Sequence, residues 1–499
     1  MSLSDAYQDV SQPVKDFLSR GHHQLWIDGQ RTASIKEATI DVCDPSSGET
    51  IGSIAAGDAE DVDRAVRAAR AAFEGPWSKW SPYERQRLLF RAAELVDLRY
   101  DDLAQIESID MGAPISRVRA SKGGALRMIQ FFAAMALNIR GEALQSGLPG
   151  DVTAMILKAP VGVVGGIIPW NGPLNGQWWI LGAVLATGCT AVLKPAEDAS
   201  LSVLWMIELL HGLGLPPGVA NVVTGRGAEA GEALARHPDV DRIAFTGSTA
   251  TGRRIIHASA VNMKRLQLEL GGKSPDIVFA DADLDKAVPG AAMGVFANSG
   301  QICYAGTRLL VQRGIVEEFT ARLGGFLDTL RLGRSLNPET QLGPIASERQ
   351  FERVVSYIEI GKKEGAHLAY GGAPGRNGPG GGLFVPPTVF TNVHNDMTIA
   401  REEIFGPVVA VIPFDTMDEA IAIGNQTEYG LGGAVWSRDI STALSVVKRI
   451  HTGVMWVNCY GLIDPLVGFG GTKMSGYGAK GSEAHLDTYL YSKCVYIQG

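Results

Sequence analysis

The chain has few of the residues that build disulfide frameworks and metal centres. Its five cysteines are an odd number without a C-x-x-C pair, and its nine histidines include no pair at helical ligand spacing. A disulfide framework and a zinc site therefore have little support. We predict that the protein binds no metal, keeps its thiols reduced and resides in the cytoplasm.

The sequence also lacks a basic excess and an uninterrupted apolar run. The formal net charge is −8, and lysines and arginines are scattered, so no basic patch favours nucleic acid. The segment MSLSDAYQDVSQPVKDFLSR has no apolar core of a secretory signal. Residues 159–193 carry no charge, but prolines, asparagines and glycines interrupt them, which argues against a membrane helix. We expect neither a nucleic-acid partner nor a membrane partner.

The pattern that is present is an alternation of short apolar strands and helices. GVVGGIIPW, CTAVLKP, GVANVVTG and VDRIAFTG are typical of strands, and helical segments separate them. Near-continuous apolar strands predict a parallel sheet covered on both faces, as in a doubly wound nucleotide-binding domain. LQLELGGKSPDIVFA begins a second α/β unit, and the length of 499 residues favours about three domains.

Turn and capping signals organise the remaining segments. Asp-Gly and Pro-Ser-Ser-Gly turns predict N-terminal hairpins between residues 25 and 55. Ser81, Pro82 and Glu84 predict a helix that starts with a capping box. The Gly/Pro-rich residues 370–387 predict a surface loop.

Glycine-rich turns after two strands are candidates for cofactor binding. GRGAEAG contains Gly227 and Gly231, but its last gap is one residue longer than in the dinucleotide fingerprint. GSTATGRR has the glycine spacing of a P-loop, yet Arg253 stands where lysine is required. What remains is a helix start at Gly247 and Ser248, whose free N–H groups are able to hold a pyrophosphate. An ordinary serine cap is the alternative.

Polar residues at other strand ends have both a functional and a structural interpretation. Lys194 and Glu197 in LKPAED are candidates for binding ribose hydroxyls. The alternative is that they form a solvated turn. Glu269, flanked by leucines in LELGG, has the raised pKa of a general base, or it faces water on an edge strand. Asn171 in PWNGPL donates to an oxyanion, or it caps its turn. The motif EEIFGPV also has two interpretations. It contacts a ribose and a ring, or it is an ordinary loop.

One cysteine stands among glycines and polar residues. Cys303, in NSGQICYAGTR, lies at a predicted junction between a helix and a strand, whereas Cys189 and Cys459 have apolar neighbours. A structural cysteine usually behaves as a small hydrophobe, but a nucleophilic thiolate needs access and a polar environment. Cys303 is therefore the candidate nucleophile. No histidine lies near it in the sequence, so a papain-like Cys–His pair has little support.

Seven motifs occur in order over almost the whole chain: PWNGPL, LKPAE, FTGST, LELGGKSP, NSGQICYAGTR, EEIFGPV and FGGTKMSGYG. Together they resemble the NAD(P)-dependent aldehyde dehydrogenase superfamily. Glu269 with the two glycines that follow it, and Cys303 further along, match the two active-site signatures of that family.

The resemblance implies three catalytic roles. Cys303 attacks the aldehyde carbon and forms first a thiohemiacetal and then a thioester. The Asn171 side chain and the Cys303 N–H stabilise the oxyanion, and Glu269 activates the water that releases the carboxylic acid.

The resemblance also implies an NAD site, with NADP as a possible second cofactor. Glu197 favours NAD, because a carboxylate repels a 2′-phosphate. The implied contacts run from the nicotinamide to the adenosine end of the cofactor and comprise Ile168, Pro169, Trp170, Lys194, Glu197, Gly227, Gly231, Gly247, Ser248, Leu270, Gln350, Glu403 and Phe405.

The sequence departs from common family patterns around the substrate. Gly172 replaces a bulky aromatic residue and Ile180 replaces a lysine. We hypothesise that these changes fit a bulky apolar or aromatic aldehyde. GYGAK departs from the usual Gly-Arg-Glu ending, and we expect this to change a surface or subunit contact. The expected substrate pocket comprises Gly172, Gly176, Trp179, Ile302, Leu462, Ile463 and Phe469.

The family fold implies three parts. A Rossmann-like NAD-binding domain takes residues 1–139 and 160–270, an α/β catalytic domain takes residues 271–475, and a small β oligomerisation flap takes residues 140–159 and 476–499. We expect a homodimer or homotetramer, because an apolar strand at the chain end needs cover. The alternatives are a CoA-acylating member of the family and a catalytically retired structural protein of the same fold.

Overall fold

The computed structural model describes residue 7, residues 10–373 and residues 381–499. The predicted surface loop 370–387 lies partly outside these residues. The described helices are numbered α1 to α17: Gln12–Leu18, Ala59–Glu74, Pro82–Met111, Ile115–Ala120, Lys122–Met135, Pro173–Gly176, Trp178–Thr187, Leu201–Gly212, Glu232–Arg236, Thr249–Ser259, Leu284–Phe296, Val316–Leu327, Glu348–Lys363, Thr398–Arg401, Met417–Asn425, Ile440–Arg449 and Ser482–Asp487.

The described strands are numbered β1 to β21 along the chain. They are His22–His23, Leu25–Ile27, Gln30–Thr32, Thr39–Cys43, Thr50–Ala55, Glu142–Gln145, Val152–Pro160, Val163–Ile168, Thr190–Pro195, Ala220–Val222, Arg242–Thr246, Arg265–Glu269, Pro275–Val278, Arg308–Gln312, His367–Tyr370, Thr388–Thr391, Val408–Phe414, Gly432–Trp436, Val454–Val457, Gly476–Tyr477 and Leu490–Gln498.

The first large sheet carries the predicted doubly wound domain. Its strand order is β20-β12-β11-β8-β9-β10-β2-β3, and the five central strands are parallel. Helices α3, α5, α7 and α8 cover one face, and α2, α9 and α10 cover the other. Burial on both faces explains why the central strands are almost entirely apolar. The parallel sheet expected from the sequence is confirmed.

A second sheet of seven strands follows in the order β15-β16-β17-β14-β13-β18-β19. All of its neighbouring strands are parallel except β15 and β16. Helices α11 and α12 pack on one face, and α15 and α16 pack on the other. This is the second α/β unit that the sequence predicts after residue 270.

A small exposed sheet consists of β6, β7 and β21 in the order β21-β7-β6. Strand β21 pairs with β7 over their full lengths, from Leu490 opposite Pro160 to Gln498 opposite Val152. These strands lie within the segments predicted for the flap, except that β7 runs one residue further, to Pro160. The predicted flap segment 476–499 also contains β20, in which Gly476 pairs with Glu269 at the edge of the first sheet.

Local signals in the sequence agree with the observed element ends. The β2–β3 and β4–β5 hairpins are antiparallel, as predicted. Helix α3 begins at Pro82 with Ser81 and Glu84 in a reciprocal capping box. Residues 159–193 form the end of β7, then β8, a turn, α6, α7 and the start of β9. No helix in the described parts of the chain is long and apolar enough to span a bilayer.

Candidate active site

The candidate site lies where strands of the first sheet end against a loop of the second unit. Strand β8 ends at Ile168 and leads into Pro169, Trp170 and Asn171, while β12 ends at Glu269. Because the carboxyl ends of parallel strands meet at one edge of a sheet, residues far apart in sequence converge there. Cys303 approaches this edge from the loop between α11 and β14.

The backbone before Cys303 has an unusual conformation. Asn298 and Ser299 both adopt left-handed backbone angles, with φ of 53° and 54°, which side-chain-bearing residues rarely occupy. The Ser299 hydroxyl donates to the Gly343 carbonyl at 2.7 Å and holds this turn. At Gly300, with φ of 73°, a Cβ would clash with the Gly406 carbonyl. The loop is therefore fixed by its surroundings rather than by its own preference.

Asn171 is bound to the same loop. Its Nδ2 donates to the Gln301 carbonyl at 3.0 Å, and Asn298 Nδ2 donates to the Asn171 carbonyl at 3.2 Å. Asn171 and Cys303 both line a cavity of about 220 Å³. The amide group predicted to bind an oxyanion thus lies beside the predicted nucleophile.

The two glycines after Glu269 bring three elements together. At residue 271 a Cβ would clash with the Glu403 carboxylate, and at residue 272 it would clash with the Cys303 carbonyl. The Gly272 N–H donates to Glu403 Oε1 at 3.0 Å. The Gly-Gly pair therefore permits the β12 end to touch the Cys303 loop and the Glu403 turn at once.

Glu269 is buried with its charge uncompensated by hydrogen bonds. Only 3% of the residue is exposed, and within the described chain neither carboxylate oxygen has a hydrogen-bond partner. Burial raises the pKa of Glu269 to about 8, and the Lys480 ammonium opposes this rise. A carboxyl group of this kind suits a general base near neutral pH.

The Cys303 thiol is half-buried and lies among charged groups. Burial raises its pKa to about 12; the Lys480 ammonium lowers it, whereas the Glu403 and Glu269 carboxylates raise it further. The thiol is thus protonated at neutral pH in this state. Attack on a carbonyl requires a group that accepts its proton.

The expected adenosine end of a cofactor cleft contains a buried ion pair. Lys194 Nζ lies 3.0 Å from Glu197 Oε2 at the end of β9. Burial opposes ionisation of Glu197, but the Lys194 ammonium and hydrogen bonds from backbone N–H groups together outweigh it, so the pKa of Glu197 is lowered. Gly227 has open space where a Cβ would be, and a Cβ at Gly231 would only touch the Lys194 side chain. The pair and the glycines form a shallow cradle.

Ser248 starts helix α10, and its Oγ accepts from the Thr251 N–H at 3.2 Å. The Gly247 N–H donates to the Glu269 carbonyl at 3.0 Å, and Leu270 packs over Gly252 of the same helix. The N-terminal end of α10 therefore lies beside the end of β12. This position is compatible with the phosphate contact expected from the sequence.

The expected nicotinamide end brings aromatic and acidic residues together. The rings of Trp170 and Phe405 meet edge to face, with centroids 5.2 Å apart. Gln350 Nε2 donates to the carbonyls of Ile404 and Phe405 at 3.1 and 2.9 Å, so it supports this turn. Burial raises the pKa of Glu403 to about 7, although the Gly272 N–H lowers it.

Five of the seven expected substrate residues line the cavity with Cys303: Gly172, Gly176, Trp179, Ile463 and Phe469. Gly172 and Gly176 have nothing within 4 Å of a Cβ position, so both leave open space. Leu462 is 70% exposed, and Ile302 precedes Cys303 without lining the cavity.

Several polar residues that line the cavity were not expected from the sequence, among them Arg117, Ser121, Asn175 and Lys480. Arg117, Ser121 and Asn175 line one wall, and Asn175 Nδ2 donates to Ser121 Oγ at 2.9 Å. Lys480 lines the cavity together with Cys303, so the GYGAK segment reaches the site rather than only a surface. The difference between GYGAK and the usual Gly-Arg-Glu ending of the family was the one sequence feature that pointed to this segment. Among residues 7, 10–373 and 381–499, no cluster of His, Cys, Asp and Glu is arranged to hold a metal ion.

Comparison with known proteins gives one consistent result. The profile of the aldehyde dehydrogenase family matches residues 32–495. An aldehyde dehydrogenase of Emericella nidulans is 42% identical over 497 residues, 99% of each chain. The mitochondrial benzaldehyde dehydrogenase of Antirrhinum majus is 41% identical over 489 residues, 97% of this chain and 91% of that protein. The NAD⁺ complex of a Bacillus cereus aldehyde dehydrogenase superposes with a TM-score of 0.95 at 41% identity, covering 98% and 99% of the chains.

Proposed function

Since this chain belongs to the aldehyde dehydrogenase family, we propose that it uses NAD to oxidise a bulky apolar or aromatic aldehyde to the carboxylic acid. The observation that carries the proposal is the contact of Gly272 with the Cys303 carbonyl. This contact brings the strand that ends in Glu269 against the loop that holds the nucleophile, while Asn171 binds the same loop.

The first chemical step forms a bond between Cys303 and the aldehyde carbon. The thiol proton passes to the Glu269 carboxylate as the sulfur attacks, and the carbonyl oxygen becomes an oxyanion. Asn171 Nδ2 and the Cys303 N–H donate to that oxygen. Bound NAD supplies the acceptor for the hydride that leaves the same carbon.

The second step hydrolyses the resulting thioester. Glu269, once its proton has gone to solvent, takes a proton from water as the water oxygen adds to the thioester carbon. The carbon–sulfur bond then breaks and the carboxylic acid leaves. Glu269 returns the proton to the sulfur, which restores the Cys303 thiol. Splitting one oxidation into two covalent steps lowers each barrier.

The described residues fit a dinucleotide. Lys194 and Glu197 would hold the adenosine ribose beside the open Gly227 and Gly231, and the N-terminal end of α10 at Ser248 would face the pyrophosphate. Further contacts would come from Trp170, Glu403 and Phe405, with Ile168, Pro169, Gly247, Leu270 and Gln350 around them. The Glu197 carboxylate favours NAD over NADP, since it repels a 2′-phosphate.

The substrate class is supported by the shape of the cavity. Gly172 and Gly176 leave space, and Trp179, Ile463 and Phe469 supply apolar surface. A relative named for benzaldehyde at 41% identity agrees with this choice. Bulky aldehydes gain more buried apolar area here than small ones.

We further propose a homodimer or homotetramer in the cytoplasm. Strand β21 is an edge of the flap sheet with exposed Tyr491, Tyr496 and Ile497, and such an edge is suited to pairing with a second copy. All five cysteines are unpaired in the described structure, which fits a reducing compartment. Light scattering of the purified protein would test the assembly, and a monomer at micromolar concentration would contradict it.

NADH formation with a panel of aldehydes tests the function. We expect turnover without CoA or phosphate, and a higher kcat/KM for benzaldehyde and long-chain aldehydes than for acetaldehyde. Cys303→Ala should abolish turnover, whereas Cys459→Ala, a cysteine outside the cavity lining, should keep it. Undiminished turnover of Cys303→Ala, or activity only with CoA, would overturn the proposal.

A further inference from the structure

The segment that follows β20 places a lysine inside the active-site cavity. Lys480 forms a two-residue antiparallel bridge with Phe469, with both backbone N–H···O distances at 2.6 Å. Phe469 lines the same cavity. These two hydrogen bonds fix the backbone of Lys480. A further hydrogen bond directs its side chain.

That hydrogen bond is with the end of β11. Lys480 Nζ donates to Thr246 Oγ1 at 2.7 Å. Thr246 pairs in register with Glu269 on the neighbouring parallel strand, so the two side chains lie on the same face of the sheet. The ammonium group thus lies beside the strand ends that carry the proposed base.

The Glu269 carboxylate faces residues 469–480, the return segment. A Cβ at Gly470 would lie 3.2 Å from Glu269 Oε1 and 2.8 Å from the Cα of Ala479. The carboxylate therefore lies over the short bridge that ends at Lys480. Neither of its oxygens has a hydrogen-bond partner in the described chain, so the neighbouring ammonium is its main source of charge compensation.

We propose that Lys480, at the end of the return segment (residues 469–480), is a positioning residue of this active site: its ammonium group, held by Thr246, faces the Glu269 carboxylate and the Cys303 thiol together and stabilises both in their ionised forms. The inference rests on the roles proposed above for Glu269 and Cys303. It also gives the GYGAK departure a function, because Lys480 stands where the usual ending has glutamate, while Ile180 stands where many members have lysine.

The electrostatics of the three groups agree with this arrangement. Burial raises the pKa of Glu269 and that of Cys303, and Lys480 lowers both. Burial lowers the pKa of Lys480 itself, whereas Glu269 and Cys303 raise it. His485 is the other titratable group that faces Lys480; burial is the main reason that its pKa is far below the usual value, so it stays neutral. Removing the ammonium charge should therefore shift the titration of the thiol and of the base upward.

The test measures the alkylation rate of Cys303 by iodoacetamide as a function of pH in the full-length protein, with the Cys303 peptide quantified by mass spectrometry. We expect Lys480→Met to move the alkylation profile upward by about one pH unit, which is about a tenfold slower rate at a fixed pH below the midpoint. Lys480→Arg should keep the wild-type profile, because it keeps the charge. Lys363→Met, on the exposed end of α13, is the matched control.

Superimposable profiles for wild type and Lys480→Met would overturn the inference, as would a shift in Lys480→Arg equal to that in Lys480→Met. Lys480→Gln keeps a donor for Thr246 without the charge and gives the same test if the methionine variant does not fold. Alkylation requires no aldehyde and no turnover. A wild-type protein that reduces no NAD with any aldehyde would therefore overturn the proposed function alone.

Discussion

Gly272 packs so closely against the backbone carbonyl of Cys303 that a Cβ at position 272 would overlap its oxygen. This contact joins the two sheets at the point where the candidate chemistry takes place. It also gives a physical reason for the second glycine of the LELGG motif, which composition and strand pattern alone leave unexplained.

Substituting this glycine should separate the nucleophile from its base. Gly272→Ala is expected to lower kcat/KM by about 100-fold or more, because a displacement of about 1 Å is enough to cost that factor. Steady-state NADH formation measures the effect. Gly325→Ala, in helix α12 with open space around its Cβ position, should keep full activity. Equal activity of both variants would show that the contact is dispensable.

The hydrolytic step should be faster above neutral pH. Burial raises the pKa of Glu269 to about 8, so the carboxylate that accepts a proton from water is populated as the pH rises through that value. We expect kcat to increase through about pH 8 and then to level off. In rapid mixing with excess aldehyde, Glu269→Gln should slow both the first burst of NADH and the later turnover, because Glu269 accepts a proton in both steps. A flat profile of kcat between about pH 6 and 9 would contradict this role.

Cofactor selection should depend on Glu197. Neutralising this carboxylate in Glu197→Gln removes its repulsion of a 2′-phosphate, so the ratio of kcat/KM for NADP to that for NAD should increase about tenfold or more. Glu94→Gln, on the exposed face of α3, is the control and should leave the ratio unchanged. An unchanged ratio in Glu197→Gln would mean that the ribose binds elsewhere.

Filling the cavity should change the preferred substrate. Gly176 has no atom within 4 Å of a Cβ position, so the Cβ of Gly176→Leu is accommodated and the rest of its side chain adds apolar volume to the cavity. Since Gly176 lines the cavity, we expect kcat/KM for benzaldehyde to fall about tenfold while that for acetaldehyde changes little. Gly212→Leu, at the exposed end of α8, serves as the control. A loss that is equal for both aldehydes would argue against a substrate pocket at this position.

The sequence predicted those parts of the site that depend on local chemistry. Cys303 stood out because of its polar, glycine-rich neighbours, and Glu269 and Asn171 because each follows or ends an apolar strand. The parallel sheet followed from the apolar pattern of β8 to β12, and the helix start at Ser81 from its capping box. These features are determined by residues close to one another in the chain.

The position of Lys480 in the cavity could not be predicted from residues close to it in the chain. This lysine reaches the cavity because Gly476 pairs with Glu269 and Lys480 pairs with Phe469, and strand pairings of two residues leave no periodic signal. Arg117 belongs to a helix without any motif, and it lines the cavity only because α4 packs beside α3. For a similar reason nothing in the sequence indicated that Gly476 pairs with the edge of the first sheet before β21 pairs with β7.

The turn formed by Asn298 and Ser299 has a consequence for anyone who redesigns this enzyme. Left-handed geometry at two successive side-chain-bearing residues costs roughly 1–2 kcal/mol per residue, and hydrogen bonds to Asn171 and Gly343 hold it in place. Glycine at either position would relieve this backbone strain, but it would also remove one of the hydrogen bonds that hold the loop before Cys303. A designer who replaces these residues to relieve strain would therefore loosen the segment that places the sulfur.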